Sequence, residues 1–149
     1  DAVRNDVLDI IATDHAPHTW EEKQNSYFKA PSGVPLVQHS LQALLELYHN
    51  GVFSLETIVK KTSHAVAERF QVQDRGYIRE GYFADLVLLD LGKPYVVNDS
   101  NLLYLCGWSP FNGYRFQSTI DMTLVNGQIA WQNGQVTDQV LGKRLTFNR

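Results

Sequence analysis

Residues 10–23 read IIATDHAPHTWEEK. An apolar run stops at Asp14, and His15 and His18 then bracket Ala16-Pro17. The run begins at Val7, so residues 7–13, VLDIIAT, form a short and mostly apolar stretch. Such a stretch predicts a strand covered on both faces, as in a parallel sheet. The predicted strand delivers Asp14 into the loop that follows. An acid at the C-terminal end of a parallel strand is where (β/α) barrels place catalytic groups. From residue type alone, Asp14 can ligate a metal, act as a general base, do both, or cap the loop through its own backbone. His15 and His18 can ligate a metal, contact an anionic substrate, or serve as hydrogen-bonded loop residues. One acid and two imidazoles fall short of the about four ligands of a closed metal site.

Working outward, residues 15–33 contain Pro17, Pro31 and Gly33 among many polar groups and read as a long ordered loop. A helix follows, with Val34, Val37, Leu41, Leu44, Leu45 and Tyr48 recurring on one face. Pro35 suits its first turn and Asn50-Gly51 its end. A second helix starts at the N-cap Ser54 with Leu55, Ile58 and Val59 inward, and a third covers about 63–70 with Val66, Ala67 and Phe70. At Gly76 the texture changes. The run ADLVLLD (84–90) predicts a strand, and two further strand-like runs meet at Asn126-Gly127, with Asn133-Gly134 as a second turn. Asn-Gly is a strong hairpin signal because both residues tolerate positive φ. The chain therefore reads as strand, loop, three helices and a β-rich tail. A lone parallel-type strand cannot bury itself, and no other segment here is an obvious neighbour for it.

Composition narrows the function classes. The chain has 149 residues, 44% hydrophobic and 19% charged, which is ordinary for a globular domain. The net charge of -3 gives no basic surface for nucleic acid. No apolar run approaches the roughly 20 residues that span a bilayer, so no membrane partner is expected. The single cysteine, Cys106, excludes an internal disulfide and fits a cytoplasmic location. The first residue is Asp1 rather than Met, which suggests a piece of a longer protein.

ATDHAPHTWEEK (12–23) resembles the signature of dihydroorotases of the amidohydrolase superfamily. Hydantoinases and dihydropyrimidinases tend to have Cys-Pro after the Asp-His pair, and allantoinases Ser-Pro-Cys, whereas Ala16-Pro17-His18 matches the dihydroorotase form. KAPSGV (29–34) resembles the substrate-proximal loop after the last barrel strand. GYIREGYFADLVLLD (76–90) resembles the return to a small β domain, and LVNGQIAWQNGQV (124–136) and GKRLTF (142–147) resemble its end. One departure is Ser63-His64-Ala65, where these enzymes often carry Asn-Pro-Ala.

The resemblance implies an α/β chain that is the C-terminal fragment of a (β/α)8 TIM barrel, followed by part of a small β-sandwich. Residues 1–75 would belong to the barrel and residues 76–149 to the β-sandwich domain. It implies interconversion of N-carbamoyl-L-aspartate and L-dihydroorotate in pyrimidine biosynthesis, with one or two zinc ions. Asp14 takes the place of the aspartate that binds the metal and carries a proton. His18 would hold the substrate carboxylate, with backbone N–H groups near Ser32 and Gly33 completing that site. His15 is assigned a supporting or packing role, because the family varies that position. Glu21, Glu22 and Lys23 are read as solvated loop charges. His39 and His49 fall on the polar side of the first helix, His64 at a helix start, and Cys106, Trp108 and Trp131 in the core. The family's His-x-His, its carboxylated lysine and its other metal histidines have no counterpart in this sequence. The isolated chain is therefore expected to be inactive. A homo-oligomer and association with aspartate transcarbamoylase are expected as partners. The alternatives are another cyclic amidohydrolase, a hydantoinase or allantoinase, and a non-catalytic dihydroorotase-like assembly subunit.

Overall fold

The structure, a computed structural model, describes residues 1–137 and 142–148. Residues 138–141 and 149, which the expected second unit includes, lie outside the described residues.

The helical part contains α1 (Trp20–Lys23), α2 (Ser40–His49), α3 (Leu55–Val59) and α4 (Ala65–Phe70). A 3-10 turn, Val37–His39, leads into α2, and a π turn, Lys60–His64, joins α3 to α4. Ser54 caps α3 as its sequence predicts, its hydroxyl accepting from the Thr57 N–H at 3.2 Å. Gly51, at φ +68, turns the chain after α2 in a conformation that costs glycine little. Leu45, on the inner face of α2, is fully buried, but Val37 is 56% exposed. The predicted inward face therefore begins only after the 3-10 turn.

The β part holds β1 (Leu86–Asp90), β2 (Tyr95–Val96), β3 (Arg115–Phe116), β4 (Thr119–Val125), β5 (Gln128–Gln132) and β6 (Gln135–Val136). Four strands form one antiparallel sheet in the order β1-β4-β5-β6, and β2 pairs β3 in a separate ribbon. The hairpin residues Asn126, Gly127, Asn133 and Gly134 have φ of 52°, 79°, 54° and 81°, the positive values that two-residue hairpin loops demand. Val125 pairs with Gln128 and Gln132 with Gln135, so each turn closes its hairpin directly.

Contacts from α2 and from the segment after α4 tie the helical part to the β part. Glu46 of α2 accepts from the Gln117 N–H at 2.6 Å, and His49 Nε2 lies 2.7 Å from the Ser118 hydroxyl. The Arg75 guanidinium bonds Asp85 and the Asn126 side chain and lies over the Phe83 ring. Gly76 passes so close to α4 that a Cβ there would sit 2.5 Å from the Ala67 Cβ.

Besides Val59 and Phe70, read as inward but 45% and 49% exposed, two sequence expectations need correction. Residues 7–13 do not form a strand. Ile11 N–H donates to the Lys61 carbonyl at 3.1 Å, but no described segment runs alongside to complete a ladder. The segment is instead anchored by charge. Asp6 sits 2.7 Å from Lys60 Nζ and 2.9 Å from Lys61 Nζ, and the Lys61 side chain, only 2% exposed, also donates to the Leu8 carbonyl. The second correction concerns His39, which is fully buried rather than on a polar face. The irregular aromatic stretch after β1 folds over it, bringing Tyr95, Tyr104, Phe111 and Phe116 around its ring. Burial pushes its pKa below the ordinary histidine value.

Candidate active site

Asp14 ends the extended N-terminal segment at φ +47. That left-handed conformation is uncommon for a non-glycine residue, and aspartate is among those that tolerate it best. The side chain is exposed and makes no hydrogen bond among the described residues. The alternative of a local backbone cap is therefore not what the carboxylate does.

The next residue is the point where two loops meet. His15 forms a parallel bridge with Val34, and the Ala16 N–H donates to the Val34 carbonyl at 3.1 Å. His15 Nδ1 accepts from the Leu36 N–H at 3.0 Å and the Val37 N–H at 3.3 Å. A ring nitrogen that accepts carries no proton, so the neutral imidazole holds its proton on Nε2. His15 therefore has no lone pair left for a metal and acts as a bracket between residues 14–16 and 34–37. The supporting role read from the sequence is the one its hydrogen bonds describe.

Gly33 explains why the loops can lie this close. It has φ +88, and a Cβ on it would sit 2.5 Å from the Ala16 Cβ. Only a residue without a side chain fits both restrictions. Ser32 is exposed on the same loop. The structure thus brings Gly33 against the residue midway between Asp14 and His18.

His18 precedes a short helical turn, α1, whose N-cap is Thr19. Thr19 and Glu22 form a capping box, with the Thr19 N–H donating to Glu22 Oε2 at 2.8 Å and the Glu22 N–H to the Thr19 hydroxyl at 3.3 Å. Glu22 is therefore tied down rather than a free solvated charge. The Thr19 N–H holds its carboxyl below the usual range, and His18, whose Nδ1 lies 3.6 Å from Glu22 Oε2, lowers it further. Lys23 also departs from its solvated reading. Its ammonium donates to the Pro31 carbonyl at 2.6 Å and the Gly33 carbonyl at 3.0 Å, stapling the 15–23 loop to the 29–34 loop.

Trp108, read from the sequence as a core residue, and Tyr104, which the sequence did not single out, complete the frame. Trp108 donates its indole N–H to the His18 carbonyl at 2.8 Å and packs edge-on against Trp20. Tyr104 stacks on the His15 ring with centroids 5.7 Å apart. Both come from the aromatic stretch after β2. Its high density of rings with polar ends was the available signal, although nothing in the spacing names their partners.

The described residues contain no cluster of three or more His, Cys, Asp or Glu that could hold a metal ion. Asp14 offers one free carboxylate, His15 is spent on backbone amides, His18 faces Glu22 at 3.6 Å, and His39, His49 and His64 lie on the helical part. The donor set fits a single contribution to a metal site, not the site itself. No helix among the described residues is long and apolar enough to cross a membrane.

The site therefore offers one free carboxylate, at the meeting point of two interlocked loops, for metal ligation or proton transfer. The chain belongs to the amidohydrolase family, whose sequence model matches residues 1–130. It is 38% identical over 130 residues to a dihydroorotase of Halobacterium salinarum, covering 87% of this chain and 31% of that protein. It is 32% identical over 142 residues to an allantoinase of Desulfitobacterium hafniense, covering 95% of this chain and 32% of the relative. Among solved structures, an L-hydantoinase (dihydropyrimidinase) from Arthrobacter aurescens superposes with a TM-score of 0.85 at 28% identity, covering 91% of this chain and 31% of that one. The chain thus spans about a third of the length of these relatives. The resemblance to dihydroorotases holds, within a circle of relatives that includes allantoinases and hydantoinases.

Proposed function

We propose that the chain is the C-terminal part of a metal-dependent cyclic amidohydrolase of the dihydroorotase type. It would comprise the end of a (β/α)8 barrel (residues 1–75) and part of a small β-sandwich domain (residues 76–149). The reaction is the interconversion of L-dihydroorotate and N-carbamoyl-L-aspartate in pyrimidine biosynthesis, in the cytoplasm. The observation that carries this reading is the unengaged Asp14 carboxylate, presented beside a loop that only Gly33 allows to approach.

The group to be supplied is one or two zinc ions, with most ligands from outside this chain. When bound, such an ion lowers the pKa of its water toward neutrality and polarises a carbonyl. Asp14 contributes one ligand. Its carboxylate also takes the proton of the attacking water and returns it to the departing ring nitrogen, as a general base and then a general acid. Water thereby cleaves the amide C–N bond, giving a carboxylic acid, which releases its proton to solvent, and a carbamoyl NH2. His18, oriented by Trp108 through its carbonyl, contacts the substrate carboxylate. The Ser32-Gly33 backbone completes that contact.

Turnover measured on the full-length protein with dihydroorotate, hydantoin and allantoin tests the assignment. Preference for dihydroorotate supports it. The second reading, another cyclic amidohydrolase, is supported by the allantoinase match and by the hydantoinase superposition. A preference for hydantoin or allantoin would establish it. Turnover by the 149-residue chain alone would refute the view that the site is completed from outside. A homo-oligomer and association with aspartate transcarbamoylase complete the proposal, and light scattering with and without the transcarbamoylase checks both.

A further inference from the structure

Tyr104 touches both ends of the bracket that holds the candidate active-site loop. Its ring stacks on His15 with an interplanar angle of 30°. Its hydroxyl accepts the Gln38 N–H at 3.0 Å, the next amide after the two that His15 Nδ1 receives. Three successive N–H groups, of Leu36, Val37 and Gln38, are thus caught by two side chains in ring contact. The same hydroxyl lies 3.3 Å from His39 Nδ1. His39 Nε2 is buried and has no hydrogen-bond partner.

These contacts fix the direction of the bonds. Were His39 to donate through Nδ1, the Tyr104 hydroxyl proton would lose its acceptor and the Nε2 lone pair would also stay unpaired. With Tyr104 donating to Nδ1, only one group, the Nε2–H among aromatic rings, lacks a partner. The second arrangement leaves fewer buried polar groups unsatisfied. Burial raises the Tyr104 pKa, in keeping with a phenol that keeps its proton to donate.

We infer that Tyr104 is a positioning residue for the active-site loop: its hydroxyl fixes the 36–39 turn, and that turn holds His15, beside Asp14, in the Nε2–H tautomer. Tyr104 touches no substrate and acts through His15. This inference rests on the functional reading above for its catalytic consequence, but its structural link stands separately.

The test uses the full-length protein with nitrogen-15-labelled histidine and the variants Tyr104→Phe and Tyr104→Leu. Long-range proton–nitrogen correlations at one fixed pH report the tautomers of His15 and His39. In Tyr104→Phe the ring stays and only the hydroxyl is lost. The expected result is a mixture of tautomers at both histidines, with kcat reduced by about tenfold, the lower end of what lost outer hydrogen bonds typically cost. KM should change less than kcat. Tyr104→Leu should show the same tautomer change and a larger kcat loss. Wild-type tautomers in Tyr104→Phe would overturn the inference, whatever the kinetics. So would altered tautomers with unchanged kcat. A wild-type protein without cyclic amidase activity, but with the tautomer change in Tyr104→Phe, would support the link to His15 and overturn the functional reading instead.

Discussion

Trp108 donates its indole N–H to the main-chain carbonyl of His18 across 2.8 Å, although 90 residues separate them. The aromatic stretch after β2 therefore reaches back to the signature loop and holds the main chain of His18, just before the turn that Thr19 caps. Trp108→Phe keeps an aromatic ring and removes the donor. A hydrogen bond of this kind contributes about 1 kcal/mol, so KM for a carboxylate-bearing substrate should rise roughly fivefold with kcat little changed. Steady-state kinetics on the full-length protein check this. A change confined to kcat would contradict a role through His18.

Gly33→Ala places a methyl group 2.5 Å from the Ala16 Cβ at φ +88. Backbone strain and the clash add, so a loss of about 2–3 kcal/mol of stability is expected. Gly142→Ala is the control, since among the described residues, chain neighbours aside, no atom lies within 4 Å of its added Cβ. It should stay within about 0.5 kcal/mol of the parent. Urea midpoints of the two variants make the comparison.

Lys23→Met keeps the aliphatic stem and removes the ammonium that joins the Pro31 and Gly33 carbonyls. Hydrogen bonds from a charged donor predict a loss of about 2 kcal/mol, discounted for partial exposure. Proteolysis should speed up in the 24–31 segment if the staple is what holds that loop. A variant with parental stability and proteolysis would return Lys23 to the solvated charge that the sequence suggested.

Asp6 is lowered from 3.8 to about 2, chiefly by its hydrogen bond to Lys60 and then by Lys61. A carboxyl whose folded pKa lies below its unfolded value stabilises the fold above the unfolded pKa. That contribution is lost as pH falls from about 4 through about 2. Asp6→Asn should therefore flatten the acid limb of the stability curve in this window and leave the slope near neutrality unchanged. Thermal melts at closely spaced pH values provide the measurement.

Local signals were legible in the sequence, and long-range ones were not. Asn126-Gly127 and Asn133-Gly134 announced their hairpins because positive φ is a property of the residues themselves. Ser54 announced α3 for a similar reason, as its hydroxyl reaches an amide three residues away. The motif around Asp14 was readable as family. Residues 7–13 have the composition of a buried strand, yet pairing requires a neighbour that no described segment supplies. His39 sits on what periodicity makes a polar face, and Tyr95, Tyr104, Phe111 and Phe116, arriving from the tail, surround it. Lys23, Tyr104 and Trp108 owe their roles to partners that helical or strand periodicity does not predict.

The most direct test of the central claim is turnover of dihydroorotate by the full-length protein and by Asp14→Asn, with bound metal measured in both. The account predicts loss of at least about 100-fold in kcat, as expected when a general acid–base group is removed, together with reduced metal content. Asp14→Asn with parental kcat and metal content would contradict it.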